Sequence, residues 1–142
     1  MPRIDDMTDV GITSLTQGCI NLQSIDFGDC DQMIEASLAA IGEGCQGLPN
    51  INMRGIKNMT DGSIACLTQG CIALKSIHIG HCNQLTDASV VLIGERCHSL
   101  TSIDTLGTDK LTYDGKNSLT LKCVYLRTLY GNLGLMATIK CF

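Results

Sequence analysis

Nine cysteines and three histidines are the side chains in this sequence best suited to metal binding, thiol chemistry or disulfide formation. No two cysteines stand in the C-x-x-C spacing that structural zinc sites favour. Their odd number, in a chain whose first residues lack the apolar core of a signal peptide, argues against a disulfide framework. The densest group of candidate metal ligands is His78, His81, Cys82, Cys97 and His98. Whether these residues can meet depends on the elements that carry them.

Five of the cysteines recur at a constant interval of 26 residues. They are Cys19, Cys45, Cys71, Cys97 and Cys123. A leucine follows each of them after three residues, and an isoleucine or leucine follows after six. A period of this length, carried by apolar residues, is typical of a stacked structural repeat.

Each repeat contains one strand pattern and one helix pattern. Ile77 and Ile79 alternate with polar residues, which predicts a short strand. Ile64, Leu67 and Cys71 lie three and four residues apart, which predicts the inner stripe of a short helix. Thr–Asp pairs suited to cap helix starts stand at residues 8–9, 60–61 and 86–87.

One strand and one short helix cannot bury enough apolar surface to offset a backbone ordering cost of roughly 1 to 2 kcal/mol per residue. Neighbouring copies must therefore stack. Stacking places the strands in a parallel sheet on one side and the helices on the other, with leucine, isoleucine and cysteine between them. The repeat thus predicts a curved α/β solenoid.

The 26-residue pattern is part of a double repeat of 52 residues, and it becomes less regular towards the end of the sequence. Residues 7–58 match residues 59–110 at nearly half of their positions, which indicates copying of a double repeat. In the fourth repeat Lys116 takes the inner helix position that Val90 holds one repeat earlier. We expect about five repeats over residues 1–132 and an irregular tail over residues 133–142. This tail either caps the repeats or leads into further chain.

The third repeat has the pattern C-x-x-L-x-x-I-x-I-x-x-C-x-x-L-T-D-x-x-V-x-x-I-x-x-x-C between Cys71 and Cys97. This pattern resembles the cysteine-containing leucine-rich repeat of F-box/leucine-rich-repeat proteins, which are substrate-recognition subunits of SCF ubiquitin ligases. The resemblance covers about residues 7–130. It implies a right-handed leucine-rich-repeat solenoid, a horseshoe segment with the sheet on its concave face and the helices on its convex face. No segment resembles an F-box, so a longer native chain or a separate partner would supply the ligase-docking helices.

Charge and hydropathy exclude several classes of partner. The net charge of -4, without a run of lysine and arginine, argues against a nucleic-acid backbone as ligand. No apolar run approaches the roughly 20 residues that a membrane-spanning helix needs. We therefore expect neither a nucleic acid nor a membrane as partner, and a location in the cytoplasm or alternatively in the nucleus.

The repeat also weighs against catalysis. The periodic cysteines should be buried, which leaves Cys66 and Cys141 as the thiols expected to be more exposed. His78 and His81 belong to a strand and its exit, whereas Cys97 and His98 end the following helix, so the candidate ligands should not share an ion. Neither a catalytic triad nor a glycine-rich phosphate loop is visible. We expect no catalytic residues, no cofactor and no metal.

The outward side chains of the predicted sheet remain as a binding site. Their identities vary from repeat to repeat while the apolar positions repeat, which is how a repeat scaffold can encode a partner. Arginine and tyrosine are residue types often found at interface hot spots. The candidate partner-binding residues are Asp26, Asn50, Asn52, Arg54, His78, Asp104 and Tyr130.

The sequence leaves three alternative functions for this chain. The first is a scaffold that binds a protein or peptide on its concave face, in substrate recognition for an SCF-type ubiquitin ligase. The second is a stand-alone recognition or structural repeat module, of an immune type for example, without a link to ubiquitin. The third, a thiol-based enzyme or redox sensor, requires reactive periodic cysteines.

Overall fold

Strands and helices alternate along the chain in the computed structural model, which describes residues 21–31, 35–130 and 137–138. The strands are β1 (Ser24–Asp26), β2 (Asn50–Asn52), β3 (Ser76–His78), β4 (Ser102–Asp104), β5 (Thr128–Tyr130) and β6 (Ala137–Thr138). The helices within these ranges are α1 (Glu35–Gly44), α2 (Asp61–Thr68), α3 (Asp87–Arg96) and α4 (Tyr113–Lys122). The predicted α/β class is therefore confirmed. Cys19 and the helix expected before β1 lie outside the described residues.

The strands form a single sheet in chain order, from β1 to β6. The first five are parallel, and each residue pairs with the residue 26 positions later, as Ile51 does with Ile77. The last strand, β6, runs antiparallel to β5 and pairs Leu129 with Ala137. The period of the sequence is thus the register of the sheet. The predicted boundary between repeats and tail falls at residues 131–136, outside the described ranges, and stays a prediction.

A layer of aliphatic side chains lies between the sheet and the helices. The middle residue of each of the first four strands is buried and its two neighbours are more exposed, as Ile77 is between Ser76 and His78. The helices bury residues three positions apart, such as Ile64 and Leu67 in α2. Because successive strand residues point to opposite faces, the polar neighbours lie on the side of the sheet away from this core. We call that side the open face.

The periodic cysteines form a column inside the core. The thiol of Cys71 donates to the carbonyl oxygen of Cys45 at 3.4 Å, and Cys97 and Cys123 repeat this contact with the preceding cysteine at 3.7 and 3.5 Å. Sulfur is a weak donor, so each contact adds little energy by itself. The column nevertheless requires a small side chain with a donor at each step. The predicted burial of the periodic cysteines is confirmed for these four residues.

Burial also changes the acidity of the thiols. Desolvation raises the pKa of Cys71 and Cys97 to about 12 and that of Cys82 and Cys123 to about 11. The thiolate is the reactive form of cysteine, and little of it exists at neutral pH when the pKa is this high. These four residues therefore behave as small apolar side chains.

Threonines at the helix starts tie each repeat to the one before. Thr86 accepts a hydrogen bond from the N–H of Ala88 at the start of α3, and its hydroxyl donates to Asp61 of α2 at 2.5 Å. The N–H of Thr86 donates to the same carboxylate at 2.9 Å. Thr112 repeats both contacts with Asp87 one unit later, at 2.5 and 2.8 Å. A single residue thus caps its own helix and binds the preceding one.

The hydrogen bonds at the start of α3 also change the pKa of Asp61. Burial alone would raise its pKa, but hydrogen bonds from Ser89 and Thr86 hold the pKa below the ordinary value of 3.8. The carboxylate therefore stabilises the fold above its unfolded pKa, and this contribution is lost as the pH falls through the folded value. The Thr–Asp pairs at residues 60–61 and 86–87 are confirmed as helix starts, and the pair at residues 8–9 lies outside the described residues.

Lys116 is the buried exception in the helix layer. It lies in α4 at the core position that Val90 holds in α3, and only 7% of its surface is exposed. Desolvation lowers its pKa from the ordinary value, and the charge of Asp87 opposes this effect only in part. A lysine covered in this way costs stability, because its ammonium group loses part of its hydration.

Cys71→Asp should unfold the protein or destabilise it by about 3 kcal/mol or more, because a carboxylate would enter the core in place of a protonated thiol. Chemical denaturation followed by circular dichroism measures the change. Cys66→Asp is the matched control, since Cys66 is only half-buried and should tolerate the charge far better. In the native protein, a maleimide should also label Cys66 well before Cys45, Cys71 and Cys97. Equal labelling rates would contradict the burial of the periodic cysteines.

Lys116→Met should raise the free energy of unfolding by roughly 1 kcal/mol near neutral pH, because methionine fills the same space without a charge to desolvate. The folded pKa of Lys116 is lowered, so the cost of burying it is full below that pKa and vanishes as the pH approaches the unfolded value of 10.5. The gain should therefore shrink in urea titrations at high pH. Lys110→Met, at an exposed turn position, is the control and should change stability little. A pH-independent gain would show that the charge is not the cause.

Candidate protein-binding surface on the sheet

The open face consists of rows of side chains, one member from each strand. The first row is Ser24, Asn50, Ser76, Ser102 and Thr128, and the second is Asp26, Asn52, His78, Asp104 and Tyr130. Paired strands lie about 4.8 Å apart, so the members of a row are direct neighbours. The structure thus brings together the predicted binding residues of β1 to β4. Tyr130 lies at the end of β5, where its side chain is not described.

Three of these residues also shape the backbone. A side-chain oxygen of Asp26 accepts from the N–H of Gly28 at 2.9 Å. Asn52 accepts in the same way from Arg54 at 3.0 Å, and Asp104 from Leu106 at 2.9 Å. This bond to the amide two residues on turns the chain at the end of the strand. Sequence reasoning assigned these residues to binding alone and missed their role in the turns.

His78 occupies the middle of the second row. Its Nδ1 atom lies 3.7 Å from a carboxylate oxygen of Asp104 on the next strand, and its Nε2 atom lies 3.4 Å from the hydroxyl of Ser76. The side chain is 42% exposed. Asn50 in the first row is exposed and donates to the carbonyl oxygen of Gln23 at 3.0 Å. Both residues are therefore held in place by neighbours while they remain accessible to a partner.

Arg54 is exposed in the turn after β2. The matching residues of the repeats before and after are Gly28 and Gly80, which are both buried. A Cβ atom built on Gly80 would lie 3.7 Å from Cγ of Arg54. An open depression of about 420 Å³ surrounds this turn. Its lining residues are Asp26, Gly28, Asp29, Asn52, Arg54, Gly55 and His81.

Asp29 and His81 in these turns were missed at the sequence level. Both adopt a left-handed backbone with φ of 60°, and the equivalent residues of the other two repeats are Gly55 and Gly107, also with positive φ. A Cβ atom on Gly55 would collide with the carboxylate of Asp29, and one on Gly107 with the ring of His81. Side chains therefore alternate with glycines along this column. The double repeat in the sequence was the signal that could have revealed the alternation.

The candidate metal ligands do not meet. His78 lies on β3 and His81 in the turn after it, whereas Cys97 is buried behind α3 and His98 is exposed in the turn that follows. Across residues 21–31, 35–130 and 137–138, no three histidine, cysteine, aspartate or glutamate side chains converge where an ion could bind. In the same ranges no helix has the length and apolar character needed to cross a membrane.

Comparisons with known proteins identify the fold. No protein-family model and no curated protein matches the chain. A chain of the yeast Rad7–Elc1 complex is similar in structure, with a TM-score of 0.68 and 21% identity over 78% of this chain and 28% of that chain. The tropomodulin C-terminal domain of Caenorhabditis elegans is also similar, with a TM-score of 0.67 and 8% identity over 93% of this chain and 87% of that chain. The chain spans little more than a quarter of the Rad7–Elc1 chain that it matches. These likenesses support a fold of the leucine-rich-repeat type.

Proposed function

We propose that this chain is a protein-interaction module that binds a protein or peptide partner on the open face of its sheet. In this proposal the repeats form a right-handed solenoid, and the open face is its concave side. Binding is noncovalent, with no catalytic step. The raised pKa values of Cys71, Cys82, Cys97 and Cys123 favour this over the thiol-enzyme alternative.

The observation that carries the proposal is the polar second row on a rigid, in-register sheet. Asp26, Asn52, His78 and Asp104 are each held by a side-chain hydrogen bond before any partner arrives. Side chains that are already ordered lose little conformational entropy on binding. The surface therefore suits recognition of a partner with matching polar groups.

Arg54 gives this surface an anchor. Its exposed guanidinium can form paired hydrogen bonds with a carboxylate of a partner. Arginine is also enriched among residues that dominate interface energies. We therefore place the centre of the binding site at the turn after β2.

Substrate recognition in an SCF-type ubiquitin ligase is the context that we propose for this module. Two observations support it: the cysteine-containing repeat pattern between Cys71 and Cys97, and the structural likeness to a chain of the Rad7–Elc1 complex. The column of buried thiols gives the cysteine that begins each repeat of this pattern a structural role.

A stand-alone structural module is the second candidate. The likeness to the tropomodulin C-terminal domain favours it, because the match covers 87% of that domain rather than a small part of a longer chain. The two candidates share the fold and differ in the identity of the partner. Recovery of ligase components therefore separates them.

Arg54→Ala should weaken partner binding about tenfold, equivalent to roughly 1.4 kcal/mol, with no loss of thermal stability, because the side chain is exposed. Partners are first captured with the wild-type chain, identified by mass spectrometry and then titrated against each variant. Lys57→Ala, a change of an exposed cation in the next turn that does not line the depression, is the matched control and should bind as the wild type does. If Arg54→Ala binds the partner as tightly as the wild type does, the depression around the turn after β2 is not part of the binding site.

The captured proteins also test the ligase context. We expect ligase subunits or a ubiquitinated substrate to be enriched with the wild type and depleted with Arg54→Ala. Enrichment of other proteins through the same surface would favour the stand-alone module. Capture that is equal for both chains would contradict binding through the open face.

A further inference from the structure

The open depression around the turn after β2 contains side chains of both charge signs. Asp26, Asp29, Arg54 and His81 all line this space of about 420 Å³. Because the strands lie in chain order, the two carboxylates stand at the end of β1, and Arg54 and His81 stand at the ends of β2 and β3. The depression is therefore acidic on one side and basic on the other.

The guanidinium of Arg54 is available to a ligand. It is exposed, and no carboxylate among residues 21–31, 35–130 and 137–138 forms an ion pair with it, although Asp26 and Asp29 line the same depression. Asp26 holds its own turn through Oδ1, so Oδ2 can accept a hydrogen bond from a ligand. A partner can thus bind both sides of the depression without first breaking an ion pair of Arg54.

A ligand of a single charge sign suits this arrangement poorly. An isolated anion bound to Arg54 would lie near the carboxylates of Asp26 and Asp29, which repel it. A ligand that is basic throughout would meet the guanidinium in the same way. Like charges set against each other across an interface cost several kcal/mol. The depression therefore favours a ligand that carries both charge signs at separate positions.

The spacing of the strands fits an extended peptide. Neighbouring strands lie about 4.8 Å apart, and alternate side chains of an extended chain point the same way at intervals of about 6.6 Å. A peptide that crosses the strand ends can therefore set one side chain on the carboxylates after β1. Its side chain two residues away then lies between the ends of β2 and β3, beside Arg54 and His81.

These opposite charges belong to the first of the two double repeats. The residues 52 positions after Asp29 and Arg54 are His81 and Leu106, so the turns after β3 and β4 have no acidic and basic pair at these places. A charged segment of a partner is thus matched at one position along the described sheet. This match also fixes where the partner lies on the open face.

We propose that the partner's recognition segment is extended and carries a basic and an acidic side chain separated by one residue. Its lysine or arginine binds Asp26 and Asp29, and its aspartate or glutamate binds Arg54, with His81 beside it. This specificity rests on the proposed function, because it requires binding at the open face. It adds the chemical class of the partner to that function.

Short capped peptides test this specificity. The probes are Thr-Lys-Thr-Glu-Thr and its reverse, Thr-Glu-Thr-Lys-Thr, which together cover both directions of crossing. The control peptides replace both charged residues by two lysines, two glutamates or two glutamines. Titrations followed by amide NMR should show one mixed peptide binding at least tenfold more tightly than every control, with the largest shifts at Gly28, Arg54 and Gly55. Mixed peptides that bind no better than the glutamine peptide overturn the proposal.

Reversal of one charge should reverse the preference. Arg54→Glu makes the depression acidic throughout, so this variant should prefer the peptide with two lysines. Loss of folding cannot produce such a change of preference, and thermal melting checks that the variant is folded. Lys57→Glu is the matched control, because Lys57 is exposed in the same turn but does not line the depression. It should keep the preference of the wild type. An Arg54→Glu chain that still prefers a mixed peptide contradicts the assignment.

The acidic side has its own variant, Asp26→Asn/Asp29→Asn. Asn52 already holds the equivalent turn in the next repeat, and asparagine tolerates the left-handed backbone of residue 29, so both turns should be retained. With Arg54 as the remaining fixed charge, this variant should prefer the peptide with two glutamates. An unchanged preference for a mixed peptide would show that these carboxylates do not bind the basic side chain.

Failure of this specificity can be told apart from failure of the proposed function. A captured partner that is lost with Arg54→Ala, while no mixed peptide is preferred, would show that the open face binds a partner through other chemistry. In that case the paired charges are overturned and the proposed function stands. Equal capture by the wild type and Arg54→Ala, together with no peptide preference, would overturn both.

Discussion

The register of the parallel sheet is the constraint on which the rest of the structure depends. Because each strand pairs with the next at a shift of 26 residues, every residue has a fixed neighbour one repeat away. Thiol contacts inside the core and threonine contacts at the helix starts follow nearly the same shift. A single repeat cannot offset its ordering entropy, so the interfaces between repeats supply much of the stability. A substitution in one repeat therefore acts mainly through its neighbours.

The open face combines structural and binding roles in the same residues. Aspartate and asparagine can both accept a hydrogen bond from the turn amide through a side-chain oxygen, as Asp26, Asn52 and Asp104 do. The charge at this position can therefore differ between repeats without a change in the backbone. The surface can therefore vary its electrostatics while its shape is preserved. His78 differs from these residues, because it lies against Asp104 on the next strand. This separation of shape from charge is well suited to a recognition module.

Departures from the repeat concentrate in α4. Lys116 is buried where other helices have an aliphatic residue, while Tyr113 and Leu121 are exposed where α3 has acidic ones. The inner side of this helix thus contributes less to the apolar core, and its outer side exposes more apolar surface than that of α3.

The sequence by itself determined the repeat length, the alternation of strand and helix and the burial of Cys45, Cys71, Cys97 and Cys123, because apolar residues at one period leave a single arrangement that buries them all. It also indicated which strand residues face outward. The tertiary structure decided what those residues do next: Asp26 and Asn52 close turns, and Asp29 and His81 fill the space above Gly55 and Gly107. It also revealed that Arg54 lines an open depression at the turn after β2. These features arise from contacts between neighbouring repeats or from the local backbone path, and a pattern of residue types records neither.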